Sequence, residues 1–247
     1  MARIAIVTGG ARGIGRGCAH ALAEKGFDIA LVDLLEPEME RTAGEIRAMG
    51  RRASVHAADV ADFARAAAIV AKVEADWGGV DFLLNNAGKS MPKPMLEITE
   101  EEFDRTIAIN LKSCFNYIHA VAPGMKRRGA GRIASMSSLN AHNGGVTSAV
   151  SKFAYAAAKA GIIGMTRALA KELGPEIAIN CICPGVIQTE LGNSLTRSRG
   201  AEMVKGIALG RLGTPADVAQ LVAFLATVEP NFMSGQDFKI DGYQWVT

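Results

Sequence analysis

The chain has 247 residues, 49% of them hydrophobic and 21% charged, with a formal net charge of +2. That length suits one large domain with one sizeable core, and no break in composition divides it. The charge is too small to point to a nucleic acid or a membrane surface as partner, and no apolar run approaches the length of a membrane span.

Apolar strands alternate with amphipathic crossovers from the first residues onward. Arg3 to Thr8 reads as a buried strand, beginning almost at Met1, so no cleavable leader is expected. Gly15 to Glu24 reads as a helix of small residues, Phe27 to Asp33 as a second strand, and Glu36 to Met49 as a helix stopped by Gly50. Arg52 to Ala57 is a third strand, Phe63 to Trp77 a helix, and Val80 to Asn85 a fourth strand. Each crossover has the length that a parallel sheet demands.

The rhythm continues with longer helices. Thr99 and Glu102 are spaced for a capping box. A helix then runs from about Phe103 to Lys126, with an irregularity expected near Asn110, because a carboxamide competes for nearby backbone. The basic run Lys126 to Arg128 reads as a solvated helix end. Arg132 to Met136 is a fifth strand, Val150 to Leu173 a helix, and Ile177 to Cys183 a sixth strand. Thr214-Pro215-Ala216-Asp217 is a helix start that continues through Gln220 to Ala226. Asp237 to Ile240 closes the pattern as a short strand. The expected fold is a single-domain, Rossmann-like, doubly wound parallel α/β sheet flanked by helices.

Four cysteines, Cys18, Cys114, Cys181 and Cys183, suggest buried thiols in a cytoplasmic protein rather than a disulfide framework. Cys181 and Cys183 share a strand face, but that spacing is weak evidence for a metal, and the histidines form no ligand-spaced cluster. No metal site is expected.

The stretch Thr8-Gly9-Gly10-Ala11-Arg12-Gly13-Ile14-Gly15 lies between the first strand and the first helix. Gly9 suits a sharp turn, Gly13 a close approach of backbone to a pyrophosphate, and Gly15 tight helix–strand packing. The helix N-terminus behind them offers unpaired N–H groups to phosphate oxygens. Asp33 ends the second strand, placed to accept hydrogen bonds from a ribose diol and to repel a 2′-phosphate. Leu34 adds no charge to offset it, whereas Arg12 is a contrary signal. The balance favours NAD(H) over NADP(H).

Tyr155 and Lys159 stand one helical turn apart on the same face. A phenol with an ordinary pKa of about 10 is a poor base at neutral pH, and a nearby ammonium favours its phenolate form. Together with TGGARGIG, the pair Asp59-Val60, Asn85-Asn86-Ala87-Gly88, YAAAK from Tyr155 to Lys159, and Pro184-Gly185 occur in a fixed order. In these motifs, over nearly its full length, the chain resembles the short-chain dehydrogenases/reductases.

The resemblance implies that Asp59 and Val60 border an adenine. It places Asn86, Ala87 and Gly88, with Ile14 of the glycine loop, along the dinucleotide groove. Pro184, Gly185, Ile187 and Thr189 would lie near the nicotinamide. Tyr155 would be the acid/base, and Lys159 would hold the nicotinamide ribose and stabilise phenolate. Ser138 would bind the substrate oxygen and Asn110 would support a proton path. The loop from Ser138 to Tyr155 is longer than the family's usual spacing, which counted back from Tyr155 lands on His142. Ser138 is preferred because it directly ends the strand, with Ser137, Ser148 and Ser151 as alternatives. Two readings of His142 stand: substrate contact, or a loop position without chemistry.

Residues 190–210 are the expected substrate cover, in which Arg197, Arg199 and Lys205 either meet an anion or face solvent. Within the family, the broad likeness is to bacterial 3-oxoacyl-carrier-protein reductases. Arg127 and Arg128 keep some of their basic character, while Asp33 and Glu176 depart from it. The expected activity is therefore NAD(H)-dependent interconversion of a secondary alcohol or polyol and a ketone. The alternatives are an NADPH-dependent 3-oxoacyl thioester reductase and a nonenzymatic dinucleotide-binding regulator. The resemblance also implies a homotetramer, in which Trp245 either meets another subunit or covers its own core.

Overall fold

The computed structural model describes residues 2–145, 151–190 and 203–244. Its centre is a seven-stranded parallel sheet, made of β1 (Arg3–Thr8), β2 (Phe27–Asp33), β3 (Ala53–Ala57), β4 (Phe82–Asn85), β5 (Gly131–Met136), β6 (Ile177–Pro184) and β7 (Asp237–Ile240). The spatial order is β3-β2-β1-β4-β5-β6-β7. After β1 the chain builds outward to one side through β2 and β3. It then returns to lay β4 on the other side of β1. Parallel strands that diverge from β1 in this way open a crevice at their carboxyl ends.

Alternation along the strands divides the core in two. Ile6, Val32, Leu83 and Ile133 face one side with Tyr117 and Ile162. Val7, Leu31, Leu84 and Ile182 face the other with Leu22 and Val222. The first layer holds α3 (Phe63–Trp77), α5 (Ser113–Arg128) and α7 (Phe153–Leu173). The second holds α1 (Gly13–Glu24), α2 (Glu36–Ala48) and α8 (Pro215–Thr227). The doubly wound α/β sheet expected from the sequence is the fold observed.

Local chemistry sets the helix ends. The Thr99–Glu102 capping box starts α4 (Glu100–Ile107), and Thr214 with Asp217 caps α8 in the same reciprocal way. Asp62 accepts from Arg65 N at the head of α3, and Gly78, at φ 97°, ends it. The long helix expected around Asn110 is three pieces: α4, a π-helical turn over Ala108–Lys112, and α5. Asn110 lies inside that turn, where its Nδ2 donates to the Thr106 carbonyl 3.0 Å away. The expected irregularity has the expected cause.

Some boundaries differ from the sequence reading because side chains claim the backbone. The fourth strand begins at Phe82 rather than Val80, since the Val80 carbonyl accepts from the Arg128 guanidinium. The third begins at Ala53, since Arg52 N–H donates to Asp28 instead of to the ladder. The basic helix end is solvated as expected, with Lys126, Arg127 and Arg128 exposed in the last turn of α5. They also approach acids of other elements, Arg128 and Arg127 reaching Glu74 at 3.6 and 3.9 Å and Lys126 reaching Glu176 at 3.7 Å. No described helix is long and apolar enough to cross a membrane.

Asp28 is the most enclosed carboxylate in an ion pair, with a side chain 3% exposed between Arg51 (2.7 Å) and Arg52 (2.6 Å). Burial alone favours its neutral form, but the Arg52 N–H and the two guanidinium groups outweigh that and hold its carboxyl below the usual range. A depressed carboxyl contributes stability above the unfolded-state pKa of about 3.9 and loses it as pH falls through the folded value. Asp28→Asn is therefore expected to lower the unfolding free energy by about 1–3 kcal/mol at pH 7. The gap from the parent protein should close in acid denaturation measurements below about pH 4.

Candidate active site

The glycine loop after β1 is shaped by contacts that leave no room for side chains. Gly9 has φ 67°, and a Cβ there would stand 2.8 Å from Asn86 Nδ2 and 2.9 Å from Ala87 Cα. A Cβ on Gly15 would stand 1.9 Å from the Gly9 carbonyl oxygen. Gly13, at φ 58°, faces Thr189. Arg12 occupies the N-cap of α1 with no side-chain cap bond, and the first turn contains no acid. The amides at that helix end are thus left to an anion.

The loop is tied to the loop after β4 by one buried hydroxyl. Thr8 Oγ1 accepts from Asn86 N (3.0 Å) and Ala87 N (3.1 Å). The Asn86 carboxamide returns Nδ2 to the carbonyls of Thr8 and Gly9, both at 3.1 Å. Asp33 closes the other flank. Its carboxylate accepts from Ala11 N at 3.2 Å, Leu34 N at 2.7 Å and Leu35 N at 3.3 Å, which fixes it at the mouth.

These groups line a cleft of about 520 Å³. Gly9, Arg12, Gly13, Ile14, Gly15 and Asp33 form one wall, and Asp59, Val60, Asn86, Ala87, Gly88 and Thr189 complete it. Asp59 binds Ala61 N at 3.0 Å and Arg105 at 2.6 Å. Burial pushes the Asp59 carboxyl up, but those two contacts outweigh it and hold the group below its ordinary value. Ile14, Asn86, Gly88 and Lys89 continue from this cleft into a second one of about 280 Å³.

The second cleft brings together Ser138, Tyr155, Lys159, Pro184, Gly185 and Ile187. Lys159 is 3% exposed. Its Nζ donates to the Met136 carbonyl at 2.7 Å and stands 5.5 Å from the Tyr155 ring centre. Ser137 Oγ donates to the Lys159 carbonyl at 2.8 Å, so this neighbouring serine braces α7 against β5. Ser138 Oγ accepts from Asn140 N at 3.2 Å. Ser151 also lines it. Ser148 falls outside the described residues, as do Arg197, Arg199 and Trp245. Lys205 is exposed.

Asn110 is fully buried and clasps Lys89 from both sides. Its Oδ1 accepts from Lys89 N at 3.0 Å, and its Nδ2 donates to Lys89 O at 2.9 Å. A Cβ on Gly88 would stand 3.0 Å from Asn110 Oδ1 and 3.5 Å from Lys159 Nζ, so one glycine separates the two groups. His142 does not line this cleft and instead stands 3.1 Å from Asp237. Sequence reasoning missed Thr8, Met136, Lys89 and Arg105. Thr8 lay in the quoted motif, but its partners are in a distant loop.

Comparison with known proteins now decides the family. The family model described as enoyl-(acyl carrier protein) reductase matches residues 9–242. The oxidoreductase UcpA of Salmonella typhimurium is 38% identical, over 97% of this chain and 93% of its own. The chain belongs to the short-chain dehydrogenase/reductase family. The 3-oxoacyl-(acyl-carrier-protein) reductase FabG of Chlamydia muridarum is 36% identical, over 97% and 96% of the two chains. A solved short-chain dehydrogenase/reductase of Brucella melitensis, described as a glucose/ribitol dehydrogenase, superposes with a TM-score of 0.90 at 30% identity, covering 99% and 97%. The protein is thus an oxidoreductase of a family that binds a nicotinamide dinucleotide, and the glycine cradle and uncapped helix end fit that cofactor.

Thr8→Val removes the hydroxyl, keeps the shape, and strands two amide donors. It is expected to cost about 1–3 kcal/mol of stability by chemical denaturation and to weaken dinucleotide binding. Thr8→Ser, which keeps the oxygen, should lose much less on both measurements.

Proposed function

We propose that this short-chain dehydrogenase/reductase interconverts a secondary alcohol or polyol and a ketone with NAD(H). The observation that carries the reading is the single cleft holding Ser138, Tyr155 and the buried ammonium of Lys159, continuous with the glycine-lined cleft. When bound, the cofactor supplies the hydride acceptor or donor.

The chain's residues do the rest. The Gly9–Gly15 backbone and the α1 N-terminus hold the pyrophosphate. Asp33 takes the adenosine ribose diol, while Asp59 and Val60 border the adenine. Asn86, Ala87 and Gly88 line the groove, and Pro184, Gly185, Ile187 and Thr189 flank the nicotinamide. Lys159 spends one N–H on Met136 O, which leaves two donors for the second ribose. Tyr155 Oη takes the proton of the substrate alcohol, or returns it to the developing alkoxide. The Lys159 ammonium stabilises negative charge on that phenol. Ser138 Oγ donates to the substrate oxygen where charge develops. Asn110 fixes Lys89 and Gly88 beside Lys159, along the path by which the proton leaves. The proposed substrate cover over residues 190–210 rests on the sequence, since 191–202 lie outside the described residues.

The fixed Asp33 carboxylate supports NAD(H). Glu74 and Glu176 stand beside Lys126, Arg127 and Arg128 and offset part of their positive charge, which weakens the case for an acidic carrier protein and supports a small substrate. The likeness to a glucose/ribitol dehydrogenase supports a polyol. A second reading, NADPH-dependent reduction of a 3-oxoacyl thioester, draws on two observations. Arg12 and Arg41 share a pocket beside the glycine loop, where a 2′-phosphate would find cations, although Glu38 and Glu190 stand in it too. The FabG relative is nearly as similar as UcpA. The four buried thiols fit a cytoplasmic protein, and family likeness supports a homotetramer.

Tyr155→Phe is expected to lower kcat by about 10²–10⁴-fold while NADH affinity, read by fluorescence titration, stays within a factor of a few. Near-normal turnover in that variant would remove the tyrosine from the chemistry.

A further inference from the structure

Three metal-ligating side chains that are remote in sequence meet below the Ser138 loop. His142 stands on α6 (Asn140–Asn143), Cys183 on β6 and Asp237 at the head of β7. A ring nitrogen, the thiol sulfur and a carboxylate oxygen all lie within 4.8 Å of one another. None of the three residues lines the dinucleotide or substrate clefts. We propose that His142, Cys183 and Asp237 form a zinc site that clamps the loop after Ser138 to the sheet.

Geometry supports this first. Zinc bonds of about 2.0–2.3 Å in a tetrahedron set neighbouring ligand atoms roughly 3.3–3.7 Å apart. His142 Nε2 and Asp237 Oδ2 are 3.1 Å apart, close to such an edge, and the whole set lies within 4.8 Å. The donors are one thiolate, one imidazole and one carboxylate. Magnesium and calcium prefer oxygen throughout, whereas this mixture suits zinc.

The surroundings behave as an outer shell. Arg167 donates to Asp237 Oδ1 at 2.8 Å, which holds that oxygen and leaves Oδ2 facing His142. Cys183 Sγ also contacts Ser137 and Cys181. Two cations stand by the cluster: Arg167, paired with Asp237, and exposed Lys239, in register with Cys183 on the neighbouring strand. Cys183 is fully buried, whereas His142 and Asp237 are 18% and 17% exposed, so an ion enters past the last two. Binding transfers the thiol proton to water and moves no electrons. The dication then meets one thiolate and one carboxylate, a neutral set, with a fourth position for water.

The consequence concerns Ser138. Leu139 N donates to Pro184 O at 3.0 Å, and α6 follows at once. A metal joining α6 to β6 and β7 would fix Ser138 and the residues directly after it against the sheet.

The test uses the full chain, stripped by chelator and titrated with Co²⁺. One Co²⁺ per chain is expected, with a thiolate-to-cobalt charge-transfer band that Zn²⁺ abolishes. Cys183→Ser should lose the band, while Cys181→Ser should keep it. A parent protein without the band, or a Cys183→Ser variant that retains it, overturns the proposal. Should Cys183→Ser fold poorly, His142→Ala gives the second reading from a partly exposed position. It should weaken Co²⁺ binding at least about tenfold and lose the rise in melting temperature that Zn²⁺ gives the parent. An equal rise in both proteins overturns the proposal as well.

Discussion

The site depends on how closely two loops approach at the carboxyl ends of β1 and β4. The Gly9 carbonyl occupies the place where a Gly15 side chain would be, and Asn86 packs where a Gly9 side chain would be. Such closeness puts polar backbone against polar backbone, which is tolerable only if each group finds a partner. Thr8 and Asn86 supply those partners in both directions. The divergence of strand order at β1 then makes the space beyond them a crevice rather than a packed seam.

The same logic governs the second cleft. A buried ammonium is costly unless it is hydrogen-bonded, and Lys159 meets Met136 O, at the end of β5, while Ser137 holds its own carbonyl. The α7 helix is thereby fixed to the sheet at the level of Ser138. On the opposite side the π-helical turn swings Asn110 inward to clasp Lys89, which sets the chain after Asn86-Ala87-Gly88. Binding crevice and chemical groups are one construction, because the loop after β4 touches both.

Much of this was legible in the sequence, where the signal was local or periodic. Apolar strands and crossover lengths gave the sheet, Thr99–Glu102 and Thr214–Asp217 gave two helix starts, and Asn110 announced an irregular helix because its carboxamide competes for nearby backbone, which the structure specifies as the Thr106 carbonyl. Tyr155 and Lys159 share a face because a helix turns every 3.6 residues or so. What stayed hidden rests on tertiary contact. Nothing near Thr8 shows that its hydroxyl serves a loop beyond β4. The run Lys126 to Arg128 read as solvated and is exposed, but its approach to Glu74 and Glu176 was hidden because those acids come from other elements. His142 was left between two readings, and its neighbours Cys183 and Asp237 are brought to it only by the β6–β7 pairing. Substrate identity was illegible for another reason: the segment expected to cover the substrate has no periodic pattern, and its polar and apolar residues suit many small ligands.

On the function proposed above, this crevice seats NAD(H) with a carbonyl compound at Tyr155. The most direct measurement is reduction of a matched panel of ketones and 3-oxoacyl thioesters, followed through the nicotinamide absorbance with NADH and NADPH in parallel. NADH-linked reduction of a small ketone is expected at a higher kcat/KM than NADPH supports. Faster NADPH-linked reduction of the thioesters would contradict it and would make Arg12 and Arg41, rather than Asp33, the groups that select the cofactor.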